Sequence, residues 1–148
     1  MHPVKSHYDE DFYAWTQAQA ALLRAAKTSD LDYANLAEEI ESLGCWDKHE
    51  LEERLEAVLH HLLTWWGKPE ERCGRWASQI LEERHAMARL LRDSPSLQAQ
   101  LETLLADVYP SIRQQVLEEV GLRLLPESCP FPVADILRDD FWPESATL

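Results

Sequence analysis

Between Asp47 and Trp66 the chain reads DKHELEERLEAVLHHLLTWW, and Leu51, Leu55, Val58, Leu59, Leu62 and Trp66 recur there at spacings of three and four. That period gathers them on one broad face of an α-helix and would scatter them over both faces of a strand. A helix with such a face needs neighbours to cover it. Gly67, Lys68 and Pro69 then end the run. Only four glycines occur in the 148 residues, and no alternating pattern is sustained, so helices joined by short turns describe the whole chain best. The fold class is all-α, a compact helical bundle of five to six helices with a proline-rich C-terminal wrapping segment.

The other helices follow from the same period. The first starts after Asp9 or Asp11, whose carboxylates can cap free amides, directs Phe12, Trp15, Leu22 and Leu23 inward, and ends near Lys27. Ser29, Asp30 or Asp32 caps a second with the stripe Tyr33, Leu36, Ile40 and Leu43, and Gly44 is expected to stop it in a left-handed conformation. Trp76, Ile80, Met87, Leu90 and Leu91 carry the fourth up to Ser94 and Pro95, and Leu97, Leu101, Leu104, Leu105 and Val108 carry the fifth. Pro110 predicts either a kink or a new helix over 110–120. Pro126, Pro130, Pro132 and Pro143 then forbid one long helix. Residues 121–143 are expected to wrap a core bundle of about 9–120, anchored by Phe131, Ile136, Leu137, Phe141 and Trp142, with a short helix near 133–138. No repeat or shift in composition calls for a second domain.

A net charge of −13 repels phosphate backbones and anionic lipid, so nucleic acid and membrane are not expected partners, unless the acidic surface mimics nucleic acid toward a basic protein. No apolar run approaches the roughly 20 residues of a membrane span. MHPVKSHYDEDF has no apolar signal core, which points to the cytoplasm. Cys45, Cys73 and Cys129 are widely spaced with no C-x-x-C pair, as expected of reduced, semi-buried thiols and not of a disulfide or zinc framework.

Chemistry could reside in LAEEIESLG, Leu36 to Gly44. On a helical wheel Glu39 and Glu41 flank the apolar stripe on opposite sides and Glu38 points away. On the fourth helix, Glu83 and Arg84 fall between Ile80 and Met87 on the inward face. Guanidinium does not shed its charge, so an inward Arg84 must find acceptors, and it can fork to two carboxylates. The expected cluster is Glu39, Glu41, His61, Glu83 and Arg84, with Arg84 tied to Glu39 or Glu41. A pocket for a small polar ligand would use the same charges.

Metal chemistry has one foothold, the E-x-x-H pair Glu82 and His85, the spacing that di-iron bundles use. A second such pair is missing; Glu56 and His60 are four apart, away from the apolar face. Glu52, Glu53 and Glu56 match half of the E-E-x-x-E and E-x-x-D pattern of helical nucleotide pyrophosphohydrolases, and the other half is absent. There is no nucleophile elbow and no glycine-rich phosphate loop. His2, His7 and His49 read as surface residues, and neighbouring His60 and His61 diverge on a helix. Trp46, Trp65, Trp66 and Trp76 would gather near one end of an antiparallel third and fourth helix, as core or as a sticky patch.

Several segments carry a family resemblance. They are Y-D-x-D-F-x-x-W at Tyr8 to Trp15, L-D-x-x-x-L-A-E-E-I-E-S-L-G at Leu31 to Gly44, H-L-L-x-W at His61 to Trp65, W-x-S-x-I-x-E-x-R at Trp76 to Arg84, P-S-L at Pro95 to Leu97, and L-P-x-x-C-P at Leu125 to Pro130. In these the chain resembles the bacterial family catalogued as domain of unknown function twenty-nine, over nearly its whole length. The family pattern has lysine in place of Thr64 and does not call for His85. The resemblance implies an all-helical bacterial cytoplasmic domain with no established activity, and it puts weight on Glu38, Glu39, Glu41, His61, Glu82 and Arg84. The function expected is an acidic protein-interaction or regulatory module without catalytic activity or cofactor, its partner another protein. The alternative is a metal-dependent helical-bundle enzyme, hydrolase or oxidase-like.

Overall fold

The computed structural model describes residues 8–144, and Phe12 by its backbone alone. The inward placement expected of the Phe12 side chain, and the surface placement of His2 and His7, lie outside the described residues. Among the described residues five α-helices follow one another: α1 Phe12–Arg24, α2 Tyr33–Gly67, α3 Gly74–Asp93, α4 Leu101–Val120 and α5 Val133–Leu137. Tight 3₁₀ turns at Thr28–Asp30, Pro69–Glu71 and Pro95–Gln100 precede α2, α3 and α4. No strand occurs among the described residues. Two compact units divide the chain, one ending at Trp46 and one starting at Asp47, and α2 runs through the division.

In the first unit the Asp11 carboxylate accepts the Ala14 N–H at 2.9 Å and caps α1. The helix closes where Lys27 N–H donates to Leu22 O at 3.0 Å and Ala26 N–H to Leu23 O at 3.1 Å, with Ala26 left-handed at φ 54°. Paired bonds of this kind satisfy the last carbonyls of a helix. Asp32 holds the unit together. Its carboxylate accepts the Trp15 indole N–H at 3.2 Å and the Asn35 side-chain amide at 2.8 Å, while its own N–H donates to Gln19 at 2.9 Å. Trp15 and Gln19 are both buried, so two α1 side chains meet the residue from which α2 departs. Of the inward positions expected on α1, Leu22 is half-buried and Leu23 exposed.

Gly44 corrects an expectation. It lies inside α2 with no left-handed backbone, so the second and third predicted helices are one helix of 35 residues. A glycine stops a helix only where the chain turns away at positive φ, and the run of good helix formers from Lys48 onward keeps α2 going. That stop is made at Gly121, φ 72°, directly after α4.

The second unit carries the main core. Leu51, Leu55, Val58, Leu59, Leu62 and Leu63 of α2 are buried against Ile80 and Met87 of α3, seven residues of α4 from Leu101 to Val116, and Leu125, Phe131, Val133 and Ile136 beyond Gly121. Pro110 sits inside α4 without ending it. Proline there removes one N–H and frees the carbonyl four residues earlier. Both Pro110 and Ala106 are exposed, so water can take up that carbonyl.

Since a Cβ built on Gly44 meets nothing within 4 Å, Gly44→Ala is expected to stabilise the protein by about 1 kcal/mol in urea unfolding, the helix-interior difference between the two residues. A left-handed stop would give the opposite sign.

Candidate functional site

Prolines at 126, 130 and 132 offer carbonyls but no N–H, and the segment after Gly121 forms little regular structure of its own. Its carbonyls are met by three arginines. From α4, Arg113 donates through Nη2 to Leu125 O at 2.8 Å and through Nε to Pro126 O at 2.8 Å, and Tyr109 adds a hydroxyl donor to Pro126 O at 2.6 Å. From α3, Arg84 donates through Nε to Ile136 O and through Nη2 to Phe141 O, both at 2.8 Å. Ahead of α3, Arg72 donates to Trp65 O at 2.8 Å and Pro143 O at 3.2 Å.

Arg84 is thus inward as its position predicted, at 1% exposure, but it takes main-chain carbonyls in place of the carboxylates expected from Glu39 or Glu41. A guanidinium needs acceptors, and carbonyls of a segment short of its own donors serve as well as carboxylates. Rings complete the site: Arg84 lies 5.4 Å from the Trp142 ring centroid, Trp142 meets Trp65 at 4.9 Å between centroids, and Arg72 lies 5.1 Å over Trp65. Each guanidinium thus lies against one of two indoles that are themselves in contact at a tilt of 45°. Among the described residues, Arg84 Nη1 and Trp65 Nε1 are buried there without a hydrogen-bond acceptor. Burial pushes the Arg84 pKa down, and the charges of Asp139 and Asp140 oppose that.

Glu83 pairs with Arg54 of α2 at 3.2 Å, so an Arg–Glu link between these helices exists with its charges the other way round. That pair raises the Arg54 pKa. Glu39 accepts a hydrogen bond from the Tyr8 hydroxyl, which lifts the tyrosine pKa to about 12, and Glu41 is exposed.

His61 lines an open groove of about 350 Å³ with Glu53, Glu56 and His60 of α2 and Gln115 and Glu119 of α4, over Ala57 and Ile112. His60 Nε2 lies 3.2 Å from Glu119, and the two imidazoles stand edge to face at 5.6 Å. Neighbouring helical residues do diverge by about 100°, but a groove between two helices is bounded by that much of each, so it holds both rings. Burial first, and His60 second, depress the His61 pKa, with Glu83 opposing.

For the metal alternative, Glu82 is exposed and His85 bonds Asp139 at 2.9 Å, tying α3 to the chain beyond α5. No group of three His, Cys, Asp or Glu side chains among the described residues is placed to hold a metal ion. Of the pyrophosphohydrolase-like acids, Glu52 faces His49 at 3.8 Å. Trp66 packs edge to face on Phe131 at 5.7 Å, Trp76 is half-buried and Trp46 is exposed. All three cysteines are free; Cys129 donates to Phe131 O at 3.5 Å, and burial raises its pKa.

Nearly every quoted motif therefore supplies a structural contact: Tyr8 to Glu39 and Trp15 to Asp32, Arg84 to the Ile136 and Phe141 carbonyls, and the Leu125 and Pro126 carbonyls to Arg113 of α4. The family model for the domain of unknown function DUF29 matches residues 7–142. The chain belongs to that family. No curated protein and no solved structure matches it. Within this DUF29 chain, sequence reasoning missed Arg72, Tyr109 and Arg113, whose signal was the excess of carbonyls over N–H groups in a segment rich in proline.

Arg84→Met, which strands two carbonyls, is expected to lose about 3 kcal/mol in urea unfolding, and Arg84→Lys, whose point charge does not fork, about half of that. The depressed His61 pKa makes its contribution complete above the unfolded value near 6.5 and lost as pH falls through the folded one. Native protein should therefore lose more stability than His61→Gln between pH 7 and pH 5, as read from thermal melts at each pH.

Proposed function

We propose that this chain is an acidic protein-interaction module that docks a partner on the first half of α2. One observation carries this: Tyr33, Ile40 and Leu43 are 62, 66 and 68% exposed, and Trp46 at the end of the same unit is 75% exposed. With half-buried Leu36, the stripe from Tyr33 to Leu43 keeps within an arc of about 80° on the helix. Single exposed apolar residues are ordinary, but a contiguous row of large ones is the mark of an interface. Acids flank the row and disfavour self-aggregation of so acidic a chain. The enzyme alternative draws on the groove of Glu53, Glu56, His60, His61 and Glu119, where imidazoles and carboxylates could move protons.

A photo-crosslinking residue placed at position 40 is expected to capture one discrete partner in extracts of the source cell, and the same residue at exposed position 89 of α3 none. Equal capture at both positions, or capture at neither, would refute the docking surface.

A further inference from the structure

Resting on that docking surface, we infer that its occupant is an amphipathic α-helix of another protein carrying Lys or Arg along the edges of its apolar face. Shape comes first. The row Tyr33, Leu36, Ile40 and Leu43 steps by three and four along about 15 Å of helix, at 1.5 Å per residue, and a second helix presents matching ridges at the same period. An α-helix has no unpaired backbone edge, so strand addition is not open to a partner here. Gly44 lies on the same side as Tyr33 and Ile40, and a Cβ there would meet nothing within 4 Å, so an approaching helix finds room beside the row.

Charge then selects among helices. Residues 8–46 hold eight Asp and Glu against two Lys and Arg, with Glu41 on one edge of the row and Glu39 on the other. The Tyr8 hydroxyl occupies only part of the Glu39 carboxylate, which has further acceptor sites to offer. A second copy of this chain would bring the same row with the same acids and a net charge of −13, setting like charges against each other across the seam. Anionic lipid is repelled for the same reason. A helix with basic edges meets both the apolar row and the carboxylates beside it.

The test uses the full chain and three synthetic helical peptides with a fluorescent tag, read by anisotropy. One has an apolar face edged by Lys, one the same face edged by Glu, and one Lys edges around a polar face. The first is expected to bind, with the other two at least tenfold weaker. Ile40→Asp combined with Leu43→Asp, both exposed and checked for unchanged far-ultraviolet circular dichroism, should weaken the first peptide more than tenfold. Glu39→Gln with Glu41→Gln, the glutamine at 39 still accepting from the Tyr8 hydroxyl, should weaken it several-fold and flatten its salt dependence. Equal affinity for Lys-edged and Glu-edged peptides overturns the inference, as does binding that ignores the aspartate substitutions, since attraction would then come from acidic surface elsewhere. A native dimer in sedimentation that the aspartate substitutions dissolve also overturns it, naming a second copy as occupant. If no peptide binds while position 40 still captures a partner, the basic helix fails and the docking surface survives; if position 40 captures nothing either, both fail.

Discussion

Pro126, Pro130 and Pro132 bring carbonyls to the last segment without bringing N–H groups, and the guanidiniums of Arg113, Arg84 and Arg72 supply donors that the segment lacks. The rest of the second unit depends on that exchange. Leu125, Phe131, Val133 and Ile136 complete the core only because the irregular backbone carrying them is held at Leu125, Pro126, Ile136, Phe141 and Pro143. Buried carbonyls without donors would carry a penalty of about 1–3 kcal/mol each, enough to detach the segment from a marginally stable fold. Charge is retained at Arg84 because a guanidinium reaches two separated acceptors at once, which no neutral side chain of that size does.

The first unit solves a smaller problem with less material. Asp32 ties Trp15 and Gln19 of α1 to the start of α2, and those side chains are buried. That knot leaves the row from Tyr33 to Leu43 uncovered. An apolar helix face left in water is unfavourable by the same area that stabilises it once covered. The two units differ in this: one closes its apolar surface internally, and the other presents it.

Legibility tracked how local each cause was. Leu51 to Leu62, Ile80 with Met87, and the short helix near 133–138 were visible because period and proline placement act within a few residues. Gly44 misled because glycine marks a stop only if the chain reverses, which depends on what the following residues pack against. The inward position of Arg84 was legible from its place between Ile80 and Met87, but its acceptors lie 52 and 57 residues away in sequence, where no periodicity reports them. His60 and His61 share a groove only because α4 comes alongside α2 with Ile112 and Gln115.

The sequence by itself determined an all-helical chain with a strongly acidic surface, where its main apolar faces lie and where prolines break it, because these follow from side-chain type and spacing along the backbone. Tertiary structure alone decided which acceptors each arginine meets, that α2 runs unbroken through Gly44, and which apolar faces are covered. Those outcomes hinge on groups brought together by folding, and the free energy of a hydrogen bond or a buried surface belongs to the pair and not to either residue.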